Sequence, residues 1–257
     1  MSVVKTEIAD GIARVTLNRP DKMNAISLDM LDDVLAAAHA LQGTDVKCVV
    51  LSGEGRAFCA GIDITSLSSL MGKDMDEVIV RRTHGDANRF QEFSLAWRKL
   101  EVPVIAALHG VCFGAGLQLA IGADIRVAAL DARLSIMEMK WGLIPDMGGM
   151  TLLPHLVRDD VLRRLIYTAE IVEAQQALEW GLVTELADDP LERAMELAKQ
   201  IAAQSPSAIR AAKRLIGEAQ TGSAASVLMA ESVEQAALIG KPDQMAAVMR
   251  GMAKTRK

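Results

Sequence analysis

Residues 102–129, VPVIAALHGVCFGAGLQLAIGADIRVAA, decide the fold of this chain. The apolar segment VPVIAAL is followed by the glycine-rich turn HGVCFGAG, by a helix that we expect to start near Leu117, and by a second apolar segment, DIRVAAL. Short apolar runs bounded by glycine or proline are typical of buried strands. The order strand, turn, helix, strand predicts an α/β core.

The same stretch must be weighed as a membrane span, because no Asp, Glu, Lys or Arg occurs from Val102 to Ala123. An apolar run of this length is long enough to cross a bilayer. However, Pro103, several glycines and Gln118 interrupt it, and they favour a buried strand, a turn and a buried helix. We therefore predict a protein that does not enter the membrane.

Strand and helix signals alternate along the rest of the chain. VVKTEIADGIARVTLNR predicts a hairpin around the turn ADG, and KCVVLSG and RLSI predict further strands. Ser27 is expected to cap the helix SLDMLDDVLAAAHAL. Residues 66–100 are expected to be mostly helical, as is the chain from Val161 onward. Breaks in this last part are expected at three prolines: Pro190, Pro206 and Pro242.

Composition excludes several classes of function. The chain has 257 residues, of which 51% are hydrophobic and 24% charged, with a net charge of −5. No cluster of Lys and Arg provides a footprint for nucleic acid. The three cysteines lie in apolar settings without metal-ligand spacing, which fits buried thiols in a reducing compartment. The chain begins with neither a signal peptide nor a transit peptide, so a cytoplasmic protein without a metal is expected.

Two acidic residues lie among apolar residues in SIMEMKWGLIPDMGGM, residues 135–150. Glu138 and Asp146 lie eight positions apart among methionines and other apolar side chains. A buried carboxylate without partners raises its pKa, and a raised pKa is what general acid–base catalysis uses. The alternative is that Glu138 is a solvated strand residue and Asp146 a helix cap. These residues alone leave both interpretations open.

Two glycine-containing loops follow predicted strands. GVCFGAGLQLA is neither a dinucleotide-binding pattern nor a Walker loop. A glycine-rich turn from a strand into a helix lets backbone N–H groups face a ligand, and the helix N-terminus adds partial positive charge. GRAFCAGIDI can offer N–H groups in the same way. Together the loops indicate an oxyanion hole, whereas tight packing of helix on strand is the alternative.

The sequence resembles the crotonase superfamily, also called the enoyl-CoA hydratase/isomerase family. The resemblance rests on LNRPDKMNAIS, VKCVVLSGEGRAFCAGIDI, residues 102–129 and WGLIPDMGG, and continues through EIVEAQQALEWGLVTEL and SPSAIRAAKRLI. It implies an α/β fold, with a spiral of ββα units over residues 1–195 and a helical oligomerisation region over residues 196–257. It also implies a homotrimer or a hexamer, and an acyl-CoA substrate whose thioester enolate is stabilised. No cofactor is expected, because coenzyme A belongs to the substrate.

The resemblance assigns roles to individual positions. The two oxyanion-hole N–H groups fall on Ile62 and Ala115. Four neighbouring residues are expected to contact the CoA substrate: Ala60, Gly61, Asp63 and Gly114. A lysine often found two residues beyond the aspartate is Thr65 here, so one expected CoA contact is missing.

The catalytic acids match the family only in part. Hydratases of the family carry two catalytic glutamates, of which the second falls on Glu138 and the first on Gln118, which cannot ionise. Gln118 is therefore expected to give polar support only. Asp146 is similar to the aspartate of dienoyl-CoA isomerases, eight residues after their catalytic glutamate, although those enzymes also have an acid at position 118. His84 and Asp86 fall in the region that lines the acyl pocket in this family.

An ionisable residue at position 138 but not at position 118 favours isomerisation over hydration. Hydration needs a water held between two acids, whereas isomerisation needs one carboxylate to move a proton between carbons. Glu138 alone, or Glu138 together with Asp146, is expected to do this. A hydratase or other lyase, in which Gln118 or Asp146 replaces the missing acid, and a CoA-binding protein without activity are the alternatives.

Overall fold

The computed structural model describes residues 2–255, and its first element is the predicted hairpin. Strands β1 (Val4–Ala9) and β2 (Ile12–Leu17) pair antiparallel. Asp10 and Gly11 connect them with φ values of 53° and 75°. Positive φ at both positions is the conformation that matches the twist of a two-residue hairpin, and Asp-Gly adopts it readily.

The later strands are short. They are β3 (Cys48–Gly53), β4 (Val104–Leu108), β5 (Val111–Phe113), β6 (Ile125–Ala129), β7 (Arg133–Ser135), β8 (Val172–Glu173) and β9 (Glu185–Ala187). The α-helices are α1 (Leu28–Leu41), α2 (Ile64–Ser68), α3 (Arg89–Lys99), α4 (Ala115–Gly122), α5 (Asp159–Thr168), α6 (Ala174–Glu179), α7 (Pro190–Ala202), α8 (Pro206–Thr221), α9 (Ala224–Leu238) and α10 (Pro242–Thr255). Ser27 caps α1 by accepting a hydrogen bond from the N–H of Met30, as predicted.

The main sheet has the strand order β1-β2-β3-β4-β6-β9 and is parallel from β2 onward. Successive residues of β3 face opposite layers. Val49 and Leu51 pack into the large core with α1 and α3, while Cys48 and Val50 pack under α7. A parallel sheet covered on both faces explains why these strands read as continuous apolar runs. The α/β prediction is confirmed.

A second sheet, in the order β5-β7-β8, corrects the reading of the glycine-rich turn. HGVCFGAG was expected to be a turn alone, but Val111–Phe113 forms strand β5, which pairs parallel with β7. Helix α4 begins at Ala115 rather than near Leu117. A three-residue strand between glycines is too short to show periodicity, so only its pairing partner reveals it.

The helical expectation for residues 66–100 is correct only in part. Helix α2 ends at Ser68, a five-residue π-helical turn covers Asp76–Val80, and α3 starts at Arg89. Gly72 and Gly85 adopt φ values of 78° and 65° in the intervening loops, where a helix cannot continue.

The C-terminal part is helical, as predicted. The three expected breaks are helix starts, because Pro190, Pro206 and Pro242 each occupy the first turn of their helix. Proline fits there, since the first N–H groups of a helix have no partner within it. Helix α7 spans residue 195, and the division of the chain at that point stays a prediction. Among residues 2–255, no helix is long and apolar enough to cross a membrane.

Candidate active site

The two glycine-containing loops pack directly on each other. The N–H of Cys59 donates to the carbonyl of Val111 at 3.1 Å, and the N–H of Phe113 donates to the carbonyl of Cys59 at 3.0 Å. A Cβ at Gly116 would lie 2.6 Å from Cβ of Cys59. Glycine at position 116 therefore allows the first turn of α4 to contact the loop that follows β3.

This packing leaves two backbone N–H groups without acceptors. The N–H of Ile26 donates to the carbonyl of Gly61 at 2.8 Å, and the N–H of Asp63 donates to the carbonyl of Ile26 at 2.9 Å. In such a parallel pairing, the N–H of the intervening Ile62 faces the opposite side. Ala115 is the first residue of α4, and Gly114 before it has no side chain to cap the helix. Within residues 2–255, neither amide donates a hydrogen bond.

All the site residues predicted from the sequence line one cavity of about 620 Å³. They are Ala60, Gly61, Ile62, Asp63, Gly114, Ala115, Gln118, Glu138 and Asp146. Apolar side chains form much of the remaining wall, namely Met23, Leu70, Ile79, Phe90, Met137, Leu143, Ile144 and Met147. The acids predicted to be catalytic therefore share an apolar cavity with the two unpaired amides.

Glu138 begins a short 3-10 helix, Glu138–Trp141, just after β7, and it is only 9% exposed. Its Oε1 accepts a hydrogen bond from Nε2 of Gln118 at 2.5 Å. Its Oε2 is buried and has no hydrogen-bond partner within the described part of the chain. Burial raises the pKa of Glu138, and the charge of Asp146 adds to this rise, whereas the nearby backbone N–H groups of Glu138 and Met137 and the hydrogen bond from Gln118 act to lower the pKa. The alternative of a solvated Glu138 is excluded.

Backbone amides hold the carbonyl oxygen of the Gln118 side chain. Its Oε1 accepts hydrogen bonds from the N–H of Met147 at 2.8 Å and from the N–H of Gly149 at 3.2 Å. With the carbonyl oxygen committed to these donors, the NH₂ group must face Glu138. The side chain of Gln118 thus links α4 to the loop that carries Asp146.

Asp146 lies half-buried in the loop between two short 3-10 helices. It caps neither of them, because Gly148 is the N-cap residue of the helix Gly149–Thr151. Its carboxylate makes no hydrogen bond to another residue of the described chain, and burial raises its pKa. The helix-cap alternative is therefore wrong, and Asp146 faces the cavity with an uncommitted carboxylate.

Asp63 differs from the other two acids because it is fully partnered. Its Oδ1 accepts hydrogen bonds from the N–H and hydroxyl of Thr65, and its Oδ2 pairs with Arg19 at 3.1 Å. The hydrogen bond from Thr65 is the first cause of the lowered pKa of Asp63. The residue that replaces the family's lysine thus fixes the aspartate.

Sequence reasoning singled out neither Arg19 nor Lys22, although both lie in the motif LNRPDKMNAIS and line the cavity.

Four other aromatic or ionisable residues lie in or near this part of the fold. His84 stacks on His39 at 5.9 Å between ring centroids, and neither His84 nor Asp86 lines the cavity. Trp97 is fully buried, as expected of a packing residue. Trp141 is 53% exposed at the cavity wall, because it ends a short surface helix.

Fold and cavity together place two unpaired amides, those of Ile62 and Ala115, and the buried carboxylate of Glu138 around one cavity. The chain belongs to the enoyl-CoA hydratase/isomerase family, which matches it over residues 7–254. The 1,2-epoxyphenylacetyl-CoA isomerase of Escherichia coli (strain K12) is 31% identical over 234 residues, covering 86% of this chain and 84% of the relative. The enoyl-CoA hydratase ACTT3 of Alternaria alternata is 35% identical over 198 residues, covering 76% of this chain and 64% of the relative.

Solved structures confirm the crotonase-like fold. The enoyl-CoA hydratase of Bacillus anthracis superimposes with a TM-score of 0.88 at 28% identity, covering 98% of this chain and 97% of that one. The enoyl-CoA hydratase of Mycobacterium smegmatis superimposes with a TM-score of 0.86 at 26% identity, covering 99% and 97%. The family resemblance drawn from the sequence motifs is therefore correct across the whole chain.

Proposed function

We propose that the protein is an acyl-CoA double-bond isomerase that acts on enoyl-CoA or dienoyl-CoA thioesters. One observation carries the choice of isomerase: the position of the first hydratase acid holds Gln118, whose amide is committed at both ends to hydrogen bonds. A side chain fixed in this way neither ionises nor delivers a proton. Glu138 is then the acid best placed for chemistry at the cavity wall.

The proposed reaction moves one proton between two carbons. The thioester oxygen accepts hydrogen bonds from the amides of Ile62 and Ala115. The carboxylate of Glu138 removes a proton from the carbon between the thioester carbonyl and the double bond, and the electron pair of that C–H bond delocalises to the oxygen as a dienolate. Glu138 then returns the proton to another carbon of the dienolate, and the double bond shifts. The substrate and product have the same composition.

The binding of coenzyme A belongs to the same proposal. Lys22 supplies positive charge at the cavity wall, as the phosphates of CoA require, and stands in for the lysine missing at position 65, whereas the charge of Arg19 is paired with Asp63. Four further residues would contact the thioester and the adenine end: Ala60, Gly61, Asp63 and Gly114. This reaction needs no cofactor beyond the CoA of the substrate, and no metal.

Hydration is the second candidate, and two observations favour it. Relatives such as ACTT3 are named hydratases. Asp146 also opens on the cavity with an uncommitted carboxylate of raised pKa, as a second acid would. A water between Glu138 and Asp146 would then be added across the double bond.

A substrate panel separates the candidates. Purified protein is given 2-enoyl-, 3-enoyl- and 3,5-dienoyl-CoA thioesters, and ultraviolet absorbance reports whether conjugation with the thioester appears or disappears. An isomerase converts the 3-enoyl or 3,5-dienoyl thioester and leaves the 2-enoyl thioester unhydrated. Rapid loss of absorbance from 2-enoyl-CoA, with a 3-hydroxyacyl product identified by mass, would instead establish a hydratase. No turnover of any member would favour a CoA-binding protein.

We further propose that the protein is cytoplasmic and assembles as a homotrimer or hexamer through its C-terminal helices. Helices α8 to α10 expose large apolar side chains, which include Ile216, Leu228, Met229, Val233, Val248, Met249 and Met252. Such a surface is typical of subunit interfaces. The buried free thiols fit a reducing compartment. Sedimentation at micromolar concentration tests the assembly, and a monomeric mass would contradict it.

A further inference from the structure

We propose that Gln118 is a positioning residue: it commits Oε1 of Glu138 to a hydrogen bond and thereby leaves Oε2 as the single oxygen that carries the proton. This inference deepens the proposed isomerase and rests on it for its catalytic meaning. Its structural part, the control of the Glu138 carboxylate by Gln118, can be measured without any substrate.

The direction of the Gln118 amide is fixed by its neighbours. Its carbonyl oxygen accepts from two backbone N–H groups, those of Met147 and Gly149. The reversed amide would place NH₂ against these two donors and a carbonyl oxygen against the carboxylate of Glu138. Every contact would then be repulsive, so a single orientation is allowed. In that orientation Gln118 always donates to Glu138.

The two oxygens of Glu138 are therefore unequal. Oε1 accepts the short hydrogen bond from Gln118, whereas Oε2 is buried without a partner within residues 2–255. A charged oxygen buried without a hydrogen bond is destabilising, and protonation of that oxygen removes the buried charge. The geometry thus makes Oε2 the better proton acceptor.

Gln118 also couples Glu138 to the loop of Asp146. Its two backbone donors, Met147 and Gly149, lie one and three residues beyond Asp146 in the chain. A Cβ at Gly149 would lie 2.8 Å from Oε1 of Gln118. The absence of a side chain at position 149 therefore lets the loop approach Gln118, and a displacement of that loop is transmitted to Glu138.

Few other charges face Glu138. Asp146 is the charged residue whose field reaches it, and Lys140, on the same short helix, is exposed. Helix α4 carries no charged residue. Helix α5 packs against the short helix of Glu138, and its charged residues form exposed ion pairs with their neighbours: Asp159 with Arg163, Asp160 with Arg158, and Arg164 with Glu170. The hydrogen bond from Gln118 is therefore the main side-chain contact that favours the ionised form.

Gln118→Met tests the inference, because methionine keeps the length and apolar bulk of glutamine and removes both hydrogen-bonding ends. Loss of a donor to the carboxylate makes ionisation of Glu138 harder, so its titration should move to higher pH by about one pH unit. The readout is the ¹³C chemical shift of the Glu138 carboxyl carbon in the ligand-free protein, assigned by comparison with Glu138→Gln. The acid limb of kcat should move in the same direction, since the base must be ionised.

Gly149→Ala is the second variant, because it pushes the oxygen of Gln118 without replacing Gln118. It should move the same titration upward by a smaller amount. Gln176→Met is the matched control: Gln176 also donates to a glutamate, Glu179 at 3.0 Å, but it lies on α6 outside the cavity. Titration of Glu138 and turnover should both be unchanged in this control.

The outcomes distinguish the two proposals. An unchanged Glu138 titration in folded Gln118→Met would overturn the positioning role, whatever reaction the enzyme catalyses. A shifted titration in a protein whose wild type turns over neither 3-enoyl- nor 3,5-dienoyl-CoA would keep the positioning role and reject the isomerase. Upward shifts in both Gln118→Met and Gly149→Ala, with turnover of these thioesters by the wild type, are the expected result.

Discussion

Two walls of the cavity present different parts of the chain to a ligand. The backbone wall consists of Ile62 and Ala115, which offer main-chain N–H groups. The carboxylate wall consists of Gln118, Glu138 and Asp146, which offer side chains. The backbone wall is set by close packing at glycines, so its chemistry is almost independent of the side chains it carries. The carboxylate wall depends on the identity of every member.

The largest effect is expected at Glu138. Glu138→Gln keeps the shape of the side chain and removes the base, and its new amide faces the donor of Gln118. Isomerase turnover should fall by about 10²–10⁴-fold, the typical contribution of a general base. Steady-state kinetics on the best thioester of the panel measures this, with CoA-ligand affinity as a control for an intact cavity. Full activity in a folded variant would remove Glu138 from the mechanism.

The backbone wall should respond only to a change that deletes an N–H. Ala115→Pro does so at the first position of α4, where proline is compatible with a helix. Loss of one oxyanion donor typically lowers turnover by about 10²–10³-fold. Ala115→Gly is the matched control, since it retains the N–H and should keep most of the activity. Circular dichroism and thermal unfolding must show that both variants are folded, and unchanged turnover in the proline variant would refute the assignment.

Asp146 tests whether the carboxylate wall works as one base or two. If Glu138 moves the proton alone, Asp146→Asn should lower kcat by no more than about tenfold, equivalent to one 1.4 kcal/mol step in the barrier. The same variant removes a negative charge that raises the pKa of Glu138, so the acid limb of kcat should move to lower pH. A loss as large as that of Glu138→Gln would instead mean that the two acids divide the proton transfer.

The smallest effect is expected for a change of side chain on the backbone wall. Ile62→Val keeps the N–H and removes one methyl group from a half-buried residue. We expect turnover within about twofold of wild type, in line with the small effects of substitutions outside a tightly packed core. A large loss would show that the side chain of Ile62, and not its amide alone, contacts the substrate.

Local signals in the sequence predicted the elements that depend on neighbouring residues. The Asp10–Gly11 hairpin and the Ser27 cap are examples, since each is fixed by a few consecutive residues. Strand β5 was missed because its three residues are defined by pairing with β7, about twenty residues later in the chain. The helix expected over residues 66–100 is interrupted at Gly72 and Gly85, because both glycines adopt a positive φ that a helix cannot continue through.

The residues of both walls were predicted from the sequence, whereas Arg19 and Lys22, which also line the cavity, and the arrangement of the site were not. Family motifs indicated every residue of both walls, and the structure brings all of them to one cavity. No sequence pattern indicated that Gln118 is held by the amides of Met147 and Gly149, because those donors lie 29 and 31 residues away. Nor did the sequence indicate which oxygen of Glu138 remains free. Such details depend on which distant backbone groups meet after folding.

The contact between Gly116 and Cys59 makes the backbone wall observable by thiol chemistry. Burial raises the pKa of Cys59 to about 12, and that of Cys48, under α7, to about 12 as well. Only the thiolate reacts with an alkylating reagent, so neither cysteine is labelled until its surroundings open. The labelling rate of Cys59 then reports opening of the turn beside Ala115, and that of Cys48 reports opening of the main sheet. The ratio of the two rates measures how independently the turn beside Ala115 opens relative to the main sheet.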